Sequence, residues 1–300
     1  MMFLLLIKLL KSAVKTLLIV LVLSAPVLAK PHKKSAPQLQ DGILATNYIV
    51  KDLDTGEVFK EKNSQEVRSI ASITKLFTAI VLLRSGAELD EKVKVDGSSS
   101  GRFPNGTMVS RMNLLKAMLI TSDNRAAETL AKTYPGGFAQ FILDVDQYIQ
   151  GRGLMNTRIN DSTGLLVTNV STAEDLVRFL GSISANEVIR SIAGERNTTV
   201  SIPKGKKTIK INLHNTNPSV FTFDNILISK TGFTNPAGWC IDMLIRHQGQ
   251  EFDLIVLGSP SKKVRNDLVA VKLKSYMNLI TRSAVIEKID NLEYDLLTNP

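Results

Sequence analysis

Ile70-Ala71-Ser72-Ile73-Thr74-Lys75-Leu76-Phe77-Thr78-Ala79 is the stretch whose reading decides the fold. A serine and a lysine stand three residues apart at the start of an apolar run, so on a helix their side chains lie on one face, one above the other. A serine hydroxyl is a weak nucleophile until a base sits beside it, and Lys75 would supply that base without any histidine. Leu76, Phe77, Ile80, Val81, Leu82 and Leu83 are apolar nearly all round, which predicts a helix in the middle of a domain. Taken alone, the pair reads better as an ordinary N-cap followed by a solvated lysine.

Working outward, Asp54-Thr55-Gly56 separates the strand-like runs Asn47 to Leu53 and Glu57 to Lys62, so the spacing predicts a β-hairpin ahead of the helix. Beyond it, helical patterns begin at Ser110, run from Arg125 to Lys132, and resume from Phe138 to Gln150. Ser171-Thr172-Ala173-Glu174 has capping-box spacing and opens a helix to about Leu180. After Val200 the texture changes to a hairpin with Gly205 in a lysine-rich turn, then strands Asn225 to Thr231, Gly238 to Arg246 and Phe252 to Gly258. Short connections make these three antiparallel neighbours. A last amphipathic helix spans about Lys263 to Arg282. The pattern predicts an α+β fold: a five-stranded antiparallel sheet flanked by helices, with a helical lobe inserted at about residues 85–200.

Composition narrows the function classes. Of 300 residues 44% are apolar, enough for a sizeable core. The formal charge is +9, and Lys8, Lys11 and Lys15 supply three of it, so 9 − 3 leaves +6 without them, only modestly basic. Those lysines precede the apolar run Leu17 to Leu23, Pro26 and Ala29, a secretory signal peptide over residues 1–29; residues 30–41 then read as a spacer. Cys240 is the only cysteine, which excludes an intramolecular disulfide and a cysteine-rich metal site. His32, His214 and His247 are too far apart for metal-ligand spacing, so no metal and no cofactor is expected. Lys204, Lys206, Lys207 and Lys210 have no interleaved aromatic residues and read as a solvated hairpin tip, not a nucleic-acid site.

Gly97-Ser98-Ser99-Ser100-Gly101 matches Gly-x-Ser-x-Gly, but a nucleophile elbow needs a buried strand before it and a helix after it, and this segment lies in turn-like surroundings. A flexible loop is expected there. Ser-x-x-Lys itself occurs at Ser12, Ser72, Ser201 and Ser259, Ser-x-Asn at Ser122 and Ser184, and Lys-Thr-Gly once, at Lys230. Order and context select among them. Ser12 lies in the signal, Ser259 follows the strand motif, and Ser201 leaves too little chain for an intervening lobe. Ser72, Ser122 and Lys230 remain.

These three motifs in this order resemble the penicillin-binding protein and serine β-lactamase superfamily. More narrowly, the chain resembles its low-molecular-weight D-alanyl-D-alanine peptidases. Asp52 to Glu57, Glu61-Lys62-Asn63, Arg68 to Lys75, Ser122 to Ala127, Asp161 to Leu165, His214 to Asn217 and Lys230 to Thr234 carry the resemblance, which covers about residues 42 to 282. It implies a catalytic domain at 42–285 followed by a tail at 286–300. Ser72 would attack the scissile carbonyl and Lys75 would accept its proton. Lys75 needs a lowered pKa, which burial and the second cation, Lys230, would both supply. Ser122 would relay a proton to the leaving amine and Asn124 would bond the substrate backbone. Lys230 and Thr231 would hold a carboxylate, and Gly232 would let the strand approach the substrate. The oxyanion would lie between the N–H groups of Ser72 and Phe233.

The implied function is a serine-type D-alanyl-D-alanine endopeptidase acting on peptidoglycan peptide stems in the periplasm, with β-lactams as covalent inhibitors. A carboxypeptidase, a β-lactamase and a non-enzymatic penicillin sensor are the alternatives. Class A β-lactamases place an asparagine four residues after a glutamate; Glu174, Glu187 and Glu195 have Arg178, Ser191 and Thr199 there. Sensors follow several transmembrane helices, and this chain has at most one. Only 68 residues follow Gly232, and the stretch from Ser283 to Pro300 carries a net −3, which suits an anionic membrane poorly. This economy resembles the soluble endopeptidase branch, with no stable membrane anchor after signal cleavage.

Overall fold

The computed structural model describes residue 45 and residues 47–278. The signal peptide, the spacer and the tail at 286–300 lie outside the described residues. Strands β1 (Asn47–Asp52), β2 (Val58–Lys62), β9 (Ile226–Thr234), β10 (Gly238–His247) and β11 (Gln250–Ser259) form one sheet in the order β2-β1-β11-β10-β9. Every pairing is antiparallel, as the short connections require. β9 runs three residues beyond its expected end, so Gly232 and Phe233 belong to the strand. It is also an edge strand, whose outer backbone groups are left for another partner.

Between β2 and β9 lies the helical lobe. Helix α1 (Thr74–Arg84) is buried from Thr74 to Leu82, the central position its all-round apolar pattern predicts. Phe77 stacks on Phe179 of a later helix with ring centroids 3.7 Å apart. No side chain caps α1 at its start. A single 3-10 turn, Ala71–Ile73, feeds into it, so Ser72 is not the N-cap that an isolated Ser-x-x-Lys suggests. Then come α2 (Arg111–Ile120), α3 (Asn124–Lys132) and α4 (Gly137–Gly151). Ser110 caps α2 and Asp123 caps α3 through the N–H groups of Asn113 and Ala126, each cap contributing about 1 kcal/mol.

Helix α5 (Ala173–Ile183) begins one residue later than its capping-box spacing suggests. Thr172, not Ser171, accepts the Asp175 N–H, because Ser171 is held opposite Arg68 where β3 (Arg68–Ser69) pairs with β6 (Val170–Ser171). Glu174 is thereby free to reach Lys51 on β1 at 3.1 Å. Helix α6 (Glu187–Ala193) escapes the sequence reading; at seven residues it is too short for a clear period. Strands β4 (Lys92–Lys94) and β5 (Met108–Ser110) pair, as do β7 (Asn197–Lys204) and β8 (Lys207–His214), the expected lysine-rich hairpin. Helix α7 covers 262–278 of the described residues. The main core fills the space between the inner face of the sheet and the lobe, and a second cluster packs the outer face of the sheet against α7.

The Gly97 to Gly101 segment is a loop, without the strand and helix of an elbow. It is firmly tied: Glu128 of α3 accepts from the N–H groups of Ser98 and Ser99 at 2.6 and 3.2 Å, and Arg125 donates to the Ser99 carbonyl at 3.0 Å. This loop braces the turn that carries Ser122.

Candidate active site

Two serine–lysine pairs meet where the 3-10 turn, the α2–α3 junction and β9 converge. Lys75, fully buried, donates to Ser72 Oγ at 2.9 Å, to Asn124 Oδ1 at 2.7 Å and to the Thr163 carbonyl at 2.6 Å. These three acceptors match the three protons of an ammonium. Lys230, 1% exposed, donates to Ser122 Oγ at 2.9 Å and to the Thr231 carbonyl at 2.8 Å. Above them opens a cleft of about 290 Å³ whose wall includes Ser72, Ser122, Asn124, Thr231, Gly232 and Phe233. All eight residues singled out in the sequence are therefore at one site. A larger cleft of about 430 Å³ at the C-terminal end of α1, lined by Arg84, Tyr134 and Tyr148, holds neither serine–lysine pair.

Burial lowers Lys75 to about 7, and the more distant charges of Asp161, Asp123 and Glu128 partly oppose that fall. Lys75 and Lys230 also disfavour each other's charge, as two amines at one site must. Lys230 is itself pushed well below the ordinary lysine value, first by burial and then by Lys75 and Arg265.

Gly232 also packs closely against the turn that carries Ser72. A Cβ there would stand 3.0 Å from Ala71 Cβ, the Ile70 carbonyl and Ser72 N, so the missing side chain admits the protein's own 3-10 turn. A second glycine closes on the same peptide from the other side: a Cβ at Gly164 would lie 1.9 Å from the Ala71 carbonyl oxygen. The Ser72 N–H is thus flanked by two residues that cannot carry side chains. Ala71 and Ser122 adopt positive φ of 47° and 58°, which costs a non-glycine residue about 1–2 kcal/mol each. Such strain persists where the surroundings over-determine it, and here it sits beside one serine and on the other.

The loop from Asp161 to Asn169 positions Lys75. Asp161 Oδ1 accepts from the N–H groups of Thr163 and Gly164, and Asn169 Nδ2 donates to Thr74 Oγ1 on α1 at 3.1 Å. That places the Thr163 carbonyl on Lys75 Nζ. Thr216, unassigned from sequence, bonds Thr231 Oγ1 through its own hydroxyl at 2.7 Å. Asn124 has its oxygen occupied by Lys75, while its amide nitrogen has no partner among the described residues.

Arg265 on α7 was also missed. It is 1% exposed, lines the cleft, and has no carboxylate partner among the described residues. Its donors reach the Cys240 carbonyl and Asn266 Oδ1, and its guanidinium lies 5.9 Å over the Trp239 ring, which stacks on Phe233. Its only signal in the sequence was a charge at the start of a predicted surface helix. No group of three or more metal-ligating side chains occurs among the described residues.

Fold and site together define a serine-type peptidase of the DD-peptidase class. The crystal structure of the Streptomyces K15 DD-transpeptidase superposes on 79% of this chain and 98% of its own, with TM-score 0.74 and 25% identity. The chain belongs to the D-alanyl-D-alanine carboxypeptidase family, whose profile matches residues 32–261. The D-alanyl-D-alanine endopeptidase of Escherichia coli is 35% identical over 236 residues, 76% of this chain and 74% of that protein. The D-alanyl-D-alanine endopeptidase of Pseudomonas aeruginosa is 34% identical over 255 residues, 82% of each.

Proposed function

We propose that this protein is a serine-type D-alanyl-D-alanine endopeptidase that cleaves peptidoglycan cross-links through an acyl-enzyme on Ser72. The observation that carries the reading is Lys75 Nζ, fully buried with a pKa lowered to about 7 and 2.9 Å from Ser72 Oγ. A neutral Lys75 takes the Ser72 proton as Oγ attacks the carbonyl of the penultimate D-alanine. The oxyanion lies against the N–H groups of Ser72 and Phe233, the helix N-terminus adding favourable potential. Ser122, bonded to Lys230, passes a proton to the leaving amine, and Asn124 Nδ2 bonds the substrate backbone. Water then hydrolyses the acyl-enzyme.

Lys230, Thr231, Thr216 and Arg265 hold the carboxylate on the D-centre of the leaving group. A buried guanidinium without an acid costs stability unless an anion arrives to pair with it. Arg265→Leu is expected to lower kcat/KM for peptide substrates by roughly 10- to 100-fold, the worth of one hydrogen bond to a charged group. Steady-state kinetics on a synthetic D-Ala-D-Ala peptide read this, and an unchanged kcat/KM would remove Arg265 from the carboxylate site.

The endopeptidase assignment is supported by two relatives of that name at 34–35% identity. A D-centre beyond a cross-link bears the same free carboxylate as a terminal D-alanine, so the site chemistry suits carboxypeptidase action too. The proposed plan is a signal peptide at 1–29, a spacer at 30–41, a catalytic domain at 42–285 and a tail at 286–300, with the mature enzyme in the periplasm. No helix among the described residues is long and apolar enough to cross a membrane. Incubation with a penicillin is expected to add one drug mass at Ser72 by mass spectrometry; a fully active, unmodified enzyme contradicts the mechanism. Digestion of cross-linked and uncross-linked muropeptides in parallel separates the two substrates, and release of terminal D-alanine alone would make it a carboxypeptidase.

A further inference from the structure

A second cleft, which the reaction above does not use, adjoins the active site. It has a volume of about 580 Å³ and lies between α3, the start of α4, the Ser98-Ser99 loop and the loop from Asp161 to Leu166. Leu165 lines this cleft and the active-site cleft alike, so a single side chain stands between them. Its apolar wall is Phe138, Leu165 and Leu166, which are 44%, 51% and 49% exposed. Large apolar side chains clustered in water beside an active-site cleft mark a binding surface. The wall is also held in place. Asp161 accepts from the N–H groups of Thr163, Gly164 and Leu166 at 2.7, 2.6 and 2.8 Å, and Thr163 Oγ1 from that of Leu165 at 3.0 Å. A ligand therefore has no loop to order before it can bind there.

The cleft also carries charge of each sign. Glu128 and Lys132 line it from successive turns of α3. Glu128 accepts from Ser98 and Ser99, neither of them a cation, so no ion pair among the described residues neutralises its charge. Lys132 pairs with Asp96 at 3.2 Å, and both side chains are exposed. Such a pair is weak, so Lys132 can exchange Asp96 for a ligand carboxylate. Asp161, the other acid on the cleft, is turned to its own loop. The direction of the substrate follows from the proposed site. β9, which holds the leaving group's carboxylate, and the loop carrying Leu165 close on the Ala71–Ser72 peptide from opposite sides, through Gly232 and Gly164. The acyl side of the scissile bond, leaving Ser72 away from that carboxylate, therefore leads past Leu165 into the second cleft.

We infer that this second cleft binds the side chain of the stem residue preceding the penultimate D-alanine, and that the side chain it fits is a long aliphatic arm ending in an ammonium and a carboxylate. The methylenes lie against Phe138, Leu165 and Leu166. The ammonium faces Glu128, and the carboxylate takes the place of Asp96 on Lys132. A short side chain leaves the apolar wall in water and both charges unmet. Phe138, Leu166 and Lys132 are thus specificity residues for the acyl half of the substrate. The arm belongs to the acyl half whichever amine departs, so the cleft serves endopeptidase and carboxypeptidase action alike.

This inference rests on the reading of Ser72 as the acylated nucleophile, and the experiment separates the two. Acylation of Ser72 is timed with three penicillins that differ only in the acyl arm: acetyl, hexanoyl and α-aminoadipyl, the last a run of methylenes ending in an amino acid. In each the β-lactam carbonyl takes the place of the scissile carbonyl, with the arm on its acyl side. The second-order rate on the wild type is expected to rise by about 10-fold or more from acetyl to α-aminoadipyl, the discrimination that a methylene or two gives in an apolar pocket. Hexanoyl should fall between them. Phe138→Ser combined with Leu166→Ser should collapse the ratio of the α-aminoadipyl rate to the acetyl rate, and Lys132→Ala should bring the α-aminoadipyl rate down to the hexanoyl rate. A variant that is merely destabilised lowers both rates and leaves their ratio in place. Equal rates for the three arms, or a ratio that survives the changes at Phe138 and Leu166, overturns the inference while the acyl-enzyme reading stands. A hexanoyl arm faster than α-aminoadipyl, or an α-aminoadipyl rate unmoved by Lys132→Ala, overturns the charged occupant. If the double variant does not fold, the wild-type ranking and Lys132→Ala, at an exposed position, decide. A wild type that none of the three penicillins modifies overturns the functional reading and this inference together.

Discussion

Lys75→Met is expected to slow acylation of Ser72 by about 10²–10⁴-fold, the range that a positioned base contributes. Methionine keeps the apolar stem and removes the amine. Only the neutral amine can accept the Ser72 proton, and Lys75 has a pKa of about 7, so the base-competent fraction grows as pH rises through neutrality. Wild-type acylation therefore climbs across that window, and the variant's does not. Stability moves the other way between the two proteins. Lys75 titrates at about 7 when folded and near the ordinary lysine value of 10.5 when unfolded, so between these values the unfolded chain binds more protons and stability rises with pH. Below both values the wild type carries the whole penalty, on the order of 4–5 kcal/mol. The variant should melt higher than the wild type in mild acid, with the gap closing in alkali. Loss of the donor to the Thr163 carbonyl and to Asn124 returns part of that gain. Stopped-flow acylation and calorimetry read the two effects together. A Lys75→Met enzyme within tenfold of wild type and with the same climb would take Lys75 out of the base role.

What could be read in the sequence was what side-chain chemistry and local period encode. Ser72, Lys75, Ser122, Asn124 and the Lys230-Thr231-Gly232-Phe233 run are chemical labels in a fixed order, and all converge on one cleft. The five-stranded sheet followed from alternating runs joined by short turns. What stayed hidden depends on contacts between distant segments. Ser171 looked like the cap of α5 because spacing is local, but its pairing with Arg68 across 103 residues moves the cap to Thr172. Arg265 looked like a surface charge at a helix start, and only the packing of α7 over Trp239 buries it. The cause of the lowered Lys75 pKa was half legible. An apolar helix implies burial, whereas the charge on Lys230 depends on its own surroundings.

Gly164→Ala is expected to cost at least about 10²-fold in acylation while Gly153→Ala costs little, and the contrast between them isolates the contact that matters. Both glycines have positive φ, 83° and 63°, so alanine at either residue incurs the left-handed backbone penalty of about 1–2 kcal/mol. At Gly153 a Cβ meets nothing within 4 Å. At Gly164 it would stand 1.9 Å from the Ala71 carbonyl oxygen and 2.9 Å from Ser72 N, and both neighbours are backbone. No rotamer relieves that overlap. Either the Ala71–Ser72 peptide turns, which re-aims Oγ and the Ser72 N–H, or the Asp161 to Asn169 loop retreats and withdraws the Thr163 carbonyl from Lys75. Each outcome displaces a reacting group by about an ångström, enough to lose about 10²-fold in rate. The Gly164 variant should also melt lower than the Gly153 variant, because it adds the overlap to the same backbone penalty. Equal acylation rates in the two alanine variants would mean that the loop does not hold the Ser72 peptide. A Gly164 variant that retains its melting temperature but loses acylation would place the movement at the Ala71–Ser72 peptide, whose strained Ala71 φ of 47° makes it the readier of the two to turn.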